Sequence, residues 1–311
     1  MNVSDRYIFR KRYHCQCRNT VVKPTQPINP TMPSKSFPFT AVIATSLAIG
    51  VTAYFYHKKQ CNAAKAEAEA PSTKIYEDKA TVSKELCIFV AEEAKKAIAE
   101  RGVFYLGVAG GSLLDALAKL IDHKETVDFS KVVLCFANHK CVDPMGEKGT
   151  LFKSNKKFAT AVGITKSINP TSTPKAESDG SEEAAFYTEA LKSAGVPFDA
   201  AGFPVIDLVL LGLGADGHIG SNHPMGPAVA TTDKIVVGSP KIGEPSSITL
   251  TVESINSART VGVVVCGGSK GKKEAVKRAM ARPFEEPRGT FPAQLLKSPI
   301  FFLDKEAAAD L

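Results

Sequence analysis

Asp216 and His218 stand two residues apart, with His223 close behind, in the stretch VIDLVLLGLGADGHIGSNHP covering residues 205–224. A carboxylate beside an imidazole orients the ring and stabilises its protonated form. An imidazole held in this way is the usual general base for activating water. Gly212, Gly214 and Gly217 keep the backbone tight, and an extended loop would aim Asp216 and His218 at one cleft. His218 and His223 are also a conceivable metal pair. At i, i+5 they lack a helix and an obvious third ligand, so no metal is expected.

Three further loops carry polar residues directly after apolar runs. In GVAGGSLLDAL, Gly110 and Gly111 precede Ser112, which opens a helix. Backbone N–H groups there can approach an anion at the positive end of the helix dipole. Ser112 with Asp115 fits a capping box. The glycine pattern is not GxGxxG and no GKS or GKT follows, so dinucleotide and ATP binding are not expected. In CFANHKCVDP, Asn138, His139 and Lys140 end a strand abruptly. In VCGGSKGKKEAVKRA, Lys270 begins a helix, where its charge opposes the dipole unless an anion neutralises it. Lys272, Lys273 and Lys277 read as a solvated helix face. Taken singly, the loop at Gly110–Ser112 reads as a capped strand-to-helix turn and that at Asn138–Lys140 as a solvated strand end.

The elements around them alternate. KATVSKELCIFVAEEAKKAIAERG has helical spacing, with Val82, Leu86, Phe89, Val90, Ala94 and Ile98 on one stripe and Gly102 after the end. VFYLGVAGGS opens as a strand and SLLDALAKLI reads as a helix. A strand is expected over Lys131–Asn138, and SEEAAFYTEALKSAG is a helix ending at Gly195. VIDLVLLGLG is apolar throughout, as a strand buried on both faces must be. SITLTVESINSA and TVGVVVCGG add strands, and SKGKKEAVKRAM a helix. The expected fold is α/β, a mainly parallel Rossmann-like sheet flanked by helices in a single catalytic domain. Ligands of such sheets bind beyond the carboxyl ends of the strands, where all four loops lie.

Composition narrows the function. The chain has 311 residues, 44% of them hydrophobic and 23% charged, with a net charge of +7. Nine of its 39 Lys and Arg, but only one of its 32 acids (Asp5), fall within residues 1–60. The rest of the chain is therefore close to neutral, and no nucleic-acid partner is expected. The seven cysteines are Cys15, Cys17, Cys61, Cys87, Cys135, Cys141 and Cys266; they form no CxxC pair, which speaks against a zinc site or disulfide framework.

Residues 1–72 read as a leader and linker, and residues 73–311 as the catalytic body. Phe37–Tyr56 is an uncharged, mostly apolar run of 20 residues followed by His57, Lys58 and Lys59. As a helix it would extend about 30 Å, the thickness of a bilayer core. It is either a signal anchor, giving membrane association through residues 37–56, or the apolar region of a targeting peptide. Met32 offers an alternative start. The expected location is organelle-targeted or membrane-anchored, with a cytoplasmic body as the alternative.

The ordered set GVAGGSLLDALA, DLVLLGLGADGHIGSNHP, SITLTVESINSA, VVCGGSKGKKEAVKRA and FPAQLLKSPIFFLDKEAAA resembles the 6-phosphogluconolactonase family, part of a larger group that includes glucosamine-6-phosphate deaminases. The resemblance covers most of residues 80–311. It implies hydrolysis of a phosphorylated sugar lactone without metal or organic cofactor. His218 would be the base and Asp216 its orienting partner; Gly110, Gly111, Ser112, Lys140 and Lys270 would hold the substrate and its phosphate. Asn138, His139, Asn222 and His223 are further candidates, at positions where the chain departs from its relatives. Lactonases of this type commonly carry Asp-Glu-Arg where this chain has Asn138-His139-Lys140, and Arg at Ser247. After the histidine they usually read Thr-x-Ser-Leu-Phe-Pro, against Ile219-Gly220-Ser221-Asn222-His223-Pro224 here. Deaminases carry acids at Asn138 and His223. The alternatives are therefore an aminosugar-phosphate isomerase or deaminase, and a catalytically weak sugar-phosphate-binding protein.

Overall fold

The structure, a computed structural model, describes residues 70–172, 178–240, 244–281 and 286–311. The expected leader, with its apolar run at 37–56, lies outside the described residues except for residues 70–72. Among the described residues no helix is long and apolar enough to cross a membrane.

Strand β1 (Ser72–Tyr76) is followed by helix α1 (Lys79–Arg101) and strand β2 (Phe104–Val108). Asp78 caps α1 by accepting the Thr81 N–H at 2.8 Å, a contact of a kind that contributes about 1 kcal/mol. The expected apolar stripe is the buried one: Val82, Leu86, Val90 and Ala94 are inaccessible or nearly so, and Phe89 and Ile98 pack on the core edge. The helix ends at Gly102, whose N–H reaches the Ile98 carbonyl.

Seven strands form one parallel sheet in the order β1, β10 (Ile300–Asp304), β9 (Thr260–Val265), β6 (Leu208–Gly212), β2, β3 (Val132–Phe136) and β5 (Lys166–Ser167). The expected parallel α/β architecture is thus present. β2 is buried along its whole length and β6 at every residue but Gly212, which explains their unbroken apolar sequences. From β2 the chain builds outward to β3 and β5; from β6 it builds the other way to β9 and β10. The direction therefore reverses between neighbouring strands β2 and β6, the kind of switch point where open α/β sheets bind ligands.

Several expectations need correction. The strand placed over Lys131–Asn138 stops at Phe136, and Asn138–Lys140 is a separate strand, β4. It pairs with β8 (Ser247–Leu250), which pairs with β7 (Val236–Ser239), in a second, antiparallel sheet. SITLTVESINSA is strand only over β8, because Thr251 caps helix α4 (Val252–Asn256) by accepting the Ser254 N–H. SLLDALAKLI gives only a single α-helical turn, α2 (Leu113–Ala116), followed by a 3₁₀ helix over Leu117–His123. Two α-helices complete the set used below, α3 (Ser181–Ser193) and α5 (Lys272–Met280).

Candidate active site

A cavity of about 230 Å³ opens at the carboxyl ends of β2, β6 and β9, beside the switch point. Its wall includes Gly110, Gly111 and Ser112 after β2, Asn138 at the start of β4, Gly214 and His218 after β6, and Lys272 at the start of α5. Loops far apart in sequence thus meet because the sheet brings their strands side by side.

The loop after β6 is wound on itself. Gly214 donates its N–H to the His218 carbonyl at 2.9 Å, and Gly217 donates to the Gly214 carbonyl at 3.0 Å. A Cβ on Gly214 would lie 2.1 Å from His218 Nδ1 and 2.6 Å from Asp216 Oδ1, so only glycine leaves room for these two side chains to meet. Gly217 has φ +85° and its α-carbon faces the Phe291 ring, which a Cβ would enter at 2.4 Å.

His218 Nδ1 lies 2.6 Å from Asp216 Oδ1, and the His218 backbone N–H donates to the same oxygen at 3.2 Å. Partial burial pushes the Asp216 carboxyl up, but the His218 backbone and ring hydrogen bonds, with the ring's charge, outweigh it and hold it below the ordinary value. A carboxylate accepts, so Nδ1 carries a proton, and whenever the ring is neutral its lone pair lies on Nε2. His218 is 38% exposed, and it lines the cavity.

The other expected residues divide. Gly110, Gly111 and Ser112 line the cavity, but Ser112 makes no side-chain cap and is itself in helical conformation. Asp115, its supposed partner, pairs with Lys157 at 2.5 Å. The capping box is therefore absent, since a residue already helical cannot turn its side chain onto the first N–H groups. Lys270 is not a wall residue. It sits exposed at φ +57°, two positions before α5 begins, and Gly271 separates it from the helix. Lys272 takes that place. Its Nζ donates to the Leu213 carbonyl and is half-buried on the cavity wall. Burial pushes its ammonium pKa down, against the opposing pull of Asp216. The solvated face expected for Lys272 is thus wrong, and no sequence signal separated it from Lys273 and Lys277.

Lys140 is not on the cavity wall; its ammonium pairs with Glu244 at 2.9 Å. It lies opposite Ser247 in the β4–β8 register. Two departures from the lactonase pattern, at Lys140 and at Ser247, are therefore one cross-strand pair. Asn138 stays in the wall. Its Oδ1 accepts the Gly110 N–H at 3.3 Å and its Nδ2 donates to Ser221 Oγ at 3.0 Å, tying the glycine loop to the histidine loop.

His139 alternates to the other face and is wholly buried, with its ring edge-on to Phe136. Its Nδ1 donates to the Lys140 carbonyl at 2.6 Å, and Nε2 has no hydrogen-bond partner among the described residues. Burial pushes its pKa down to about 4. Asn222 is also wholly buried. Its amide donates to the carbonyls of Ile219 and Leu250 and to Thr249 Oγ1, so it anchors the loop rather than facing the cavity. His223 is exposed, with its ring centroid 4.9 Å from that of His218.

Comparison with known proteins bears on the family and the fold. The family model described as "Glucosamine-6-phosphate isomerases/6-phosphogluconolactonase" matches residues 77–300. The Arabidopsis thaliana protein "6-phosphogluconolactonase 3, chloroplastic" is 30% identical over 252 residues, covering 78% of this chain and 76% of that one. "Probable 6-phosphogluconolactonase 2" of Oryza sativa is 27% identical over 253 residues, covering 76% and 89%. A solved 6-phosphogluconolactonase structure from Trypanosoma brucei shares the fold with a TM-score of 0.64 at 21% identity, covering 78% and 98%.

Proposed function

The chain belongs to the glucosamine-6-phosphate isomerase/6-phosphogluconolactonase family, and on that premise we propose that it hydrolyses 6-phospho-D-glucono-1,5-lactone to 6-phosphogluconate, the oxidative-branch reaction of the pentose phosphate pathway. The observation that carries this reading is the Asp216–His218 pair at the lip of a cavity whose wall also presents an ammonium group and a glycine-rich turn.

His218 Nε2 takes a proton from water, and the hydroxide attacks the lactone carbonyl carbon. The tetrahedral intermediate collapses with cleavage of the bond to the ring oxygen. The imidazolium returns the proton to that oxygen, which leaves as the sugar hydroxyl. Asp216 holds the ring by its Nδ1–H and offsets the positive charge that forms on it. Lys272 and the backbone N–H groups of Gly111 and Ser112 hold the 6-phosphate, and Gly110, whose N–H goes to Asn138, shapes the turn. The phosphate contact converts binding energy far from the carbonyl into orientation at it.

The full chain, assayed for lactone opening above the spontaneous rate and for ammonia release from glucosamine 6-phosphate, tests this. Lactone turnover without ammonia is expected. Ammonia release would establish the deaminase reading instead, against which stand Asn138 and His223 where aminosugar chemistry would use acids.

Residues 1–72 act as a leader for the catalytic body at 73–311. Support comes from their basic, nearly acid-free first 60 residues and from relatives named as chloroplastic. A fluorescent fusion of residues 1–72 that stays diffuse in the cytoplasm would refute an organelle address.

A further inference from the structure

At the outer lip of the cavity Asp216, His218 and His223 each offer one ligand atom, and the three atoms lie within 4.8 Å of one another. Among the described residues no other three His, Cys, Asp or Glu side chains gather in this way. The third ligand that the spacing of His218 and His223 lacked is thus Asp216, two residues before the first histidine.

The backbone, rather than chance rotamers, sets this grouping. The missing Cβ of Gly214 lets Asp216 and His218 meet. An isolated bridge between Ile219 and Asn222 reverses the chain at once after His218. The buried Asn222 amide then pins that turn to Ile219, Thr249 and Leu250, which sets His223 beside His218 with the rings tilted by 46°.

We propose that Asp216, His218 and His223 form a binding site for a divalent ion of the zinc class, and that the bound ion inhibits hydrolysis. Two imidazoles and a carboxylate, with a fourth position left to water, are a tetrahedral zinc ligand set. Magnesium and calcium demand six or more oxygen ligands, which this lip does not supply. The Lys272 ammonium interacts with Asp216 and competes with a cation there, so binding is weaker than at a structural zinc site. The inhibitory half rests on the assignment of His218 as base. Coordination through Nε2 occupies the lone pair directly. Coordination through Nδ1 leaves the ring proton on Nε2. Either way the ring can no longer accept a proton from water.

The test uses the full chain, stripped of metal and kept reduced, titrated with Zn²⁺ against a chromophoric chelator and in parallel with Co²⁺ for its absorption bands. The wild type is expected to bind one more equivalent than His223→Ala and Asp216→Asn, with no competition from millimolar Mg²⁺. Zinc should inhibit wild-type turnover at the concentration that fills the site. His223→Ala should need at least about tenfold more. Equal zinc stoichiometry and affinity in wild type and His223→Ala would overturn the site, even if His218→Ala abolishes hydrolysis. A zinc equivalent lost in His223→Ala but without effect on wild-type turnover would uphold the site and sink the role of His218 instead.

Discussion

His218 Nδ1 and Asp216 Oδ1 stand 2.6 Å apart, and the contact fixes which ring nitrogen is left to act. Asp216→Asn keeps the size and removes the charge that steadies the imidazolium. Both groups are partly solvated, so the loss is moderate. kcat should fall by about tenfold or more with KM little changed. A rise in KM at constant kcat would assign Asp216 to substrate binding.

Gly214 holds that pair by having no side chain. Gly214→Ala places a methyl 2.1 Å from His218 Nδ1 and 2.6 Å from Asp216 Oδ1, and both side chains must move. The expected result is a large loss of kcat with a stability cost of about 1–3 kcal/mol, read from urea unfolding beside the activity assay. Unchanged kcat would show that the dyad geometry is not needed.

Lys272, rather than Lys270, lines the cavity. Lys272→Ala should lower kcat/KM for the phosphorylated lactone by roughly 10- to 100-fold, the worth of a charge-assisted hydrogen bond. It should have little effect on an unphosphorylated lactone. Lys270→Ala should leave both near wild type. The reverse pattern would return the phosphate to Lys270.

His139 makes stability depend on pH. It is neutral in the fold, with its pKa pushed down to about 4 by burial, whereas an unfolded chain protonates its histidines below about 6.5. The unfolded state therefore binds the extra proton between those values. Stability should fall as pH drops from about 6.5 to about 4, by up to roughly 3 kcal/mol, and this contribution should level off below. His139→Phe should flatten the dependence in urea unfolding measured across that range; an unaltered slope would place its origin elsewhere.

The parts of the fold legible in sequence were those fixed by local pattern. β2, β6 and β9 announce themselves as apolar runs because they are the buried centre of the sheet. α1 shows its stripe over many turns. β1 and β5 gave no comparable signal, since they are exposed strands at the two edges of the sheet. The dyad was legible because Asp216 and His218 are sequence neighbours. Lys272 was not, because a left-handed residue at Lys270 and Gly271 shift the helix start. Register alone shows that Lys140 and Ser247 stand opposite each other as a cross-strand pair.

The most direct test of the central claim is the initial rate of 6-phosphoglucono-lactone opening by His218→Ala and wild type at equal concentration, each corrected for spontaneous hydrolysis. If His218 takes the proton from water, kcat falls by about 10²- to 10⁴-fold while the folded structure, followed by circular dichroism, is kept. A variant that turns over lactone at the wild-type rate would contradict that role.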